Sequence, residues 1–91
     1  MMLWGCANIA HAQLRSIPPD TERAYMRYLH ENVIELNGKP EKLAPGIRIR
    51  DTENRIITPT MVARDTLVKY RRDRGGAVRE VWILTPQEAA R

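Results

Sequence analysis

Very few side chains in this sequence could do covalent chemistry: one cysteine, Cys6, one serine, Ser16, and two histidines, His11 and His30. Nucleophilic catalysis needs a hydroxyl or thiol, a base to take its proton and a third group to orient the base. Cys6 and His11 fall in an N-terminal stretch that reads as a removable export signal. Without them neither a Ser/His/Asp nor a Cys/His set can be assembled. His30 stands beside Glu31 among polar residues, the setting of a solvated surface histidine. Asp51 and Glu53 are two apart in a turn and lack the further carboxylates and glycine of a calcium loop, so they read as turn formers. Any two of Asp51, Glu53, Asp65 and Glu80 could form an acid–base pair, but 91 residues leave no room for the cleft a glycan requires. Gly75-Gly76 lies in a hairpin and no Gly-x-x-x-x-Gly-Lys is present, so a phosphate-cradling loop is not expected. The reading is of a protein that is not an enzyme, with no catalytic residue, metal ligand or cofactor.

Binding chemistry is better represented. Residues 1–40 hold four basic and four acidic side chains, so the formal net charge of +4 lies entirely in residues 41–91, with eleven basic against seven acidic. Its densest part is Lys69, Arg71, Arg72, Arg74 and Arg79 around a lone Asp73. These five, with Trp82, are the candidate partner-binding residues: a basic hairpin able to attract phosphate, lipid headgroups or an acidic protein surface. The plainer alternative is a solvated hairpin whose charge serves solubility. A different class of function, a cytoplasmic nucleic-acid-binding or regulator-like protein, would place Arg48, Arg50, Lys69, Arg71, Arg72 and Arg79 on backbone phosphates and stack Tyr70 or Trp82 on a base. Against it, Val68, Tyr70, Val81 and Ile83 read as a core face, which hides the aromatic ring.

These residues need a scaffold, and the length allows one small core. The sequence predicts an α+β domain over residues 13–91: one N-terminal amphipathic helix packed on an antiparallel sheet of about four strands in two hairpins, then a short C-terminal helical turn. Asp20, after Pro18-Pro19, is the expected N-cap. Tyr25, Leu29, Val33 and Leu36 form an apolar stripe at helical spacing, Arg27 and Glu31 a surface ion pair, and Asn37-Gly38 the left-handed stop. Lys39 to Ala44 reads as a polar connector. From Ile47 the period changes to two. Ile47 and Ile49 alternate with Arg48 and Arg50, Asp51 to Asn54 turns, and Arg55 to Thr58 returns. Pro59 to Asp65 crosses over with a helical turn near Thr60 to Ala63. Thr66 to Arg72 and Ala77 to Thr85 form the second hairpin about Asp73-Arg74-Gly75-Gly76. Its loop length sets Val68, Tyr70, Val81 and Ile83 on one face, and Lys69, Arg71 and Glu80 on the other. Trp82 and Leu84 then need cover. Thr85 and Glu88 have the spacing of a capping box.

Residues 1–12 are apolar and uncharged and end in Ala10-His11-Ala12, an A-x-A cleavage site that would leave Gln13 first. The stretch reads as the distal half of a signal peptide, with an upstream start supplying the missing basic residues. A disordered tail or a terminal strand is the alternative. A lipid-attachment box at Leu3-Trp4-Gly5-Cys6 is disfavoured by the bulk of Trp4. No apolar run reaches the roughly 18–20 residues of a membrane span.

Arg48-Ile49-Arg50-Asp51, Asn54-Arg55-Ile56-Ile57 and Val81-Trp82-Ile83-Leu84-Thr85-Pro86 together make residues 46–90 resemble the C-terminal part of small exported bacterial proteins of uncharacterised function. The resemblance implies export and carries no catalytic residues. The expectation is therefore a periplasmic or secreted non-catalytic binding domain, monomer or weak homodimer, contacting an acidic partner through its basic hairpin.

Overall fold

The computed structural model describes residues 15–90. The expectations for residues 1–12, signal, tail or lipid box, lie outside the described residues. The described chain is a β-barrel, not the α+β arrangement expected from the sequence. Six strands run β1 (Glu22–His30), β2 (Val33–Leu36), β3 (Lys39–Arg50), β4 (Ile56–Ile57), β5 (Thr66–Arg72) and β6 (Val78–Ile83), with a 3-10 turn at Pro59–Met61 and a single helical turn, α1 (Pro86–Ala89).

The region expected to be a helix is the hairpin β1–β2. Helical spacing would bury Tyr25, which is 56% exposed, whereas Ala24, Met26, Ile34 and Leu36 are buried at strand spacing. Short apolar-rich segments satisfy both periods, and long-range pairing decides between them. Met26 faces Leu36 on β2, and on its other side β1 pairs with β5 from Glu22↔Tyr70 to Met26↔Thr66. Asn37-Gly38 is no helix stop. Both have positive φ (53° and 83°) and they join Leu36 directly to Lys39, the two-residue turn whose twist suits a hairpin. Arg27 accordingly meets Glu35 across the strands at 3.7 Å, not Glu31. The connector at Lys39 to Ala44 is the first half of β3, which pairs with β2.

β3 is long enough to turn a corner at Pro45-Gly46, where Gly46 has φ 76°. Beyond it, β3 runs parallel to β6, while β5 and β6 form the antiparallel hairpin. The ring β1–β2–β3–β6–β5–β1 is thus closed, with β4 added outside on β3. This closed five-stranded ring is a scaffold that by itself assigns no activity. Met26, Ile34, Ile49, Val68, Val78 and Val81 are fully buried and fill the interior, with Val62 and Tyr70 beside them. A barrel of this size holds side chains and not a ligand.

Candidate functional site

The β5–β6 hairpin has the expected facing, with Val68 and Tyr70 paired to Ile83 and Val81 and Arg71 to Glu80, but not through the expected loop. The Asp73 amide donates to the Ala77 carbonyl and Arg72 pairs with Val78, the odd register, and a bulge at Arg79 restores the facing. Trp82, on the outer face opposite Lys69, is nevertheless 4% exposed. The Arg50 guanidinium lies 5.7 Å from its ring centroid, a cation–π contact from the parallel neighbour β3. A strap over residues 15–19 runs along this side of the barrel. Arg15 holds it, donating to both carboxylate oxygens of Glu88 (3.0 Å each) and to the carbonyls of Asp51 and Ile83. Glu88 closes the capping box with Thr85 that fixes α1. Between strap and barrel lies an open cleft of about 460 Å³ lined by Lys69, Leu84, Ile17 and Pro18 among others.

The candidate cations divide into two groups. Arg72 donates to Glu41 through both guanidinium ends (2.8 and 3.2 Å) and to the Gly76 carbonyl at 2.9 Å, and lies 5.4 Å from the Tyr70 ring centroid. That hydrogen bond holds the Glu41 carboxyl below the usual range and raises Arg72 further above its ordinary value. Tyr70, 7% exposed, donates to Glu22 at 2.9 Å. Burial, reinforced by that carboxylate, pushes its hydroxyl pKa up. Arg71 donates to Glu80 at 2.8 Å and reaches Asp20 at 3.4 Å. Glu80 also receives Arg50 at 3.1 Å. Burial of Glu80 opposes its ionisation, but the hydrogen bonds from Arg50 and Arg71 outweigh it and hold the carboxyl low. Arg71 and Arg72 are therefore committed to carboxylates of the chain itself.

Among the described residues Lys69 and Arg74 have no such partner, and Arg79 is exposed, with a carboxylate oxygen of Glu80 3.9 Å away. Arg48, which was legible in the sequence only as one basic strand residue among several, joins this second group. It pairs in register with Glu80 across the parallel seam yet is exposed and lacks an acidic partner among the described residues. A cleft of about 250 Å³ brings Arg48 and Arg79 together with Pro45, Gly46 and Glu80. What signals this site is a break in alternation at Pro45-Gly46 beside an Arg-x-Arg strand, and that break gains meaning only once β6 is known to lie alongside.

Neither aromatic ring offered for base stacking, Tyr70 or Trp82, is presented to solvent. Among the described residues no group of three or more His, Cys, Asp or Glu side chains is assembled, and His30 is exposed beside Glu31. No described helix is long and apolar enough to cross a membrane. The arrangement is suited to electrostatic capture of an anion. Comparison with protein-family models, with curated proteins and with solved structures gives no match for this chain.

Proposed function

We propose that this protein is a non-catalytic binding module, exported to the periplasm or cell envelope, that contacts an acidic partner through the cations on its β3, β5 and β6 surface. The observation that carries the proposal is the division of charge. Glu41, Glu80 and Glu88 are spent on Arg72, on Arg50 with Arg71, and on Arg15, so among the described residues Arg48, Lys69 and Arg74 stand without an acidic partner and Arg79 has only a long contact, 3.9 Å, with the already shared Glu80. Such a surface raises the local concentration of anions and steers their approach. The barrel interior is filled, which directs binding to the outside. Export is supported by the Ala10-His11-Ala12 ending, and cleavage after it leaves every described residue in the mature chain.

The test has two parts. The intact mass and compartment of the protein made from its native gene are expected to give a periplasmic species beginning at Gln13. A cytoplasmic species retaining Met1 would overturn export and turn attention to nucleic acid. Dextran sulfate, as a model acidic polymer, is expected to bind with an affinity that falls steeply as salt rises, because each contact releases counterions. Charge reversal at Lys69, Arg74 and Arg79 should weaken it. No binding at low salt would refute the binding function.

A further inference from the structure

Around Arg79 the pairing of β6 is interrupted on both of its edges, towards β3 and towards β5. Leu43 pairs with Val78 and Arg48 with Glu80, so the stretch of β3 through Ala44, Pro45, Gly46 and Ile47 lies against the single residue Arg79. The surplus length of β3 carries Pro45-Gly46 away from the wall, and proline there forfeits no ladder hydrogen bond because pairing is already interrupted. On the opposite edge of β6, Arg71 pairs with Glu80 and Arg72 with Val78, which leaves Arg79 as the extra residue of a β-bulge. Bulges re-aim the side chain they carry. Here the result is that Arg79 and Arg48 line one cleft from opposite strands.

The floor of that cleft is already neutral in its own right. Both oxygens of Glu80 are taken, Oε1 by Arg71 and Oε2 by Arg50, and Arg71 extends to Asp20. Four guanidinium groups and two carboxylates thus surround the seam, an excess of two positive charges at Arg48 and Arg79. A carboxylate would match half of that excess. A phosphate monoester, nearly dianionic at neutral pH, matches all of it, and its three terminal oxygens suit two planar guanidinium forks.

We propose that the β3–β6 seam is an oxyanion site at which Arg48 and Arg79 clasp a phosphate monoester. It rests on the basic-surface function proposed above and names the group on the acidic partner that is read. A phosphodiester backbone carries one charge per phosphate and lacks the third free oxygen, so nucleic acid is the poorer ligand at this point.

The experiment is a titration of the full chain, followed by backbone amide shifts, with glycerol 3-phosphate and with a single-stranded oligodeoxynucleotide at matched ionic strength. Saturable shifts at Gly46, Ile47, Arg48 and Arg79 are expected with the monoester. The double variant Arg48→Gln, Arg79→Gln should weaken them by at least about tenfold, because charge-assisted hydrogen bonds from both sides are lost. Both side chains are exposed and neither has a hydrogen-bonded carboxylate, so the variant should keep the parent melting temperature. Binding should also weaken as pH falls through about 6, where the monoester gains a proton. Beside it Glu80 stays ionised, being held below the usual carboxylate range by the hydrogen bonds from Arg50 and Arg71. Shifts confined to Lys69 and Arg74 would overturn the seam site while leaving a basic binding surface in place. Tighter binding of the oligonucleotide at the seam would overturn the monoester. No saturable response to either probe, together with no binding of dextran sulfate, would overturn both.

Discussion

Arg15 shows how much one side chain can do in a domain this small. Its side chain is 9% exposed, and it joins the strap, the end of β6, the turn after β3 and α1 through Glu88 and two carbonyls. Truncation would leave Glu88, itself largely buried, without its counter-charge and two carbonyls without a donor. We expect Arg15→Ala to cost about 2–3 kcal/mol in urea unfolding, well above a typical exposed ion pair. Glu88→Ala should cost less when made on top of Arg15→Ala than alone, a coupling that a double-mutant cycle measures. The committed and uncommitted arginines should separate in the same assay. Arg72→Ala loses the Glu41 pair and the contact with Tyr70 and should cost about 1 kcal/mol, whereas Arg74→Ala should be silent within about 0.5 kcal/mol.

At the scale of elements, the first hairpin is where strand and helix make opposite demands on the same residues. A helix would place Tyr25 inside. In the hairpin it points outward from β1 while Met26 is fully buried against β2 and β5. Tyr25→Lys should therefore change stability by less than about 0.5 kcal/mol, and Met26→Ala should cost about 2–5 kcal/mol, both read by thermal unfolding. A destabilised Tyr25→Lys with a tolerated Met26→Ala would contradict the barrel. Gly38 supplies the other discriminating position. With φ at 83° and open space where a Cβ would sit, Gly38→Ala meets no clash, so its expected cost of about 1 kcal/mol comes from backbone conformation alone.

For the whole molecule, the carboxylates that hold separate strands together set its acid stability. Glu41 (β3 to β5), Glu80 (β6 to β3 and β5) and Glu88 (α1 to the strap) all have pKa values lowered from an ordinary 4.5. For Glu88, as for Glu80, burial opposes ionisation and is outweighed, here by hydrogen bonds from Arg15 and the Thr85 amide. A group whose folded pKa is depressed binds its proton later than it would unfolded, so its contribution is present in full above the unfolded value and is lost as pH falls through the folded one. The melting temperature should be nearly flat from neutral pH to about 5, then drop below 4.5. Glu80→Gln should make that drop shallower while lowering stability at pH 7. A melting temperature that rose on acidification would show that the ion pairs are not part of the fold's stability.

The sequence by itself determined the features set by near neighbours. Val68 and Tyr70, like Val81 and Ile83, alternate at strand spacing and so share a face of their own strand, although the register that sets the two pairs against each other comes from the bulge at Arg79 and not from loop length. Thr85 and Glu88 close a capping box because both partners lie within one turn. The excess of positive charge in the second half needs only counting. The tertiary structure alone decided whether Tyr25 to Leu36 would coil or extend, since its apolar residues fit both periods and the partner that settles it, β5, lies some forty residues away in sequence. It also decided which arginines are committed: Glu41 on β3 reaches Arg72 on β5 and Glu80 draws Arg50 from a parallel neighbour, contacts that strand pairing creates and local spacing does not encode. Charge is a property of the chain, but its availability to a partner is a property of the closed barrel, because closure brings Glu41 to Arg72 and Glu80 to Arg50 and Arg71, and leaves Arg48 and Arg79 lining one cleft at the seam.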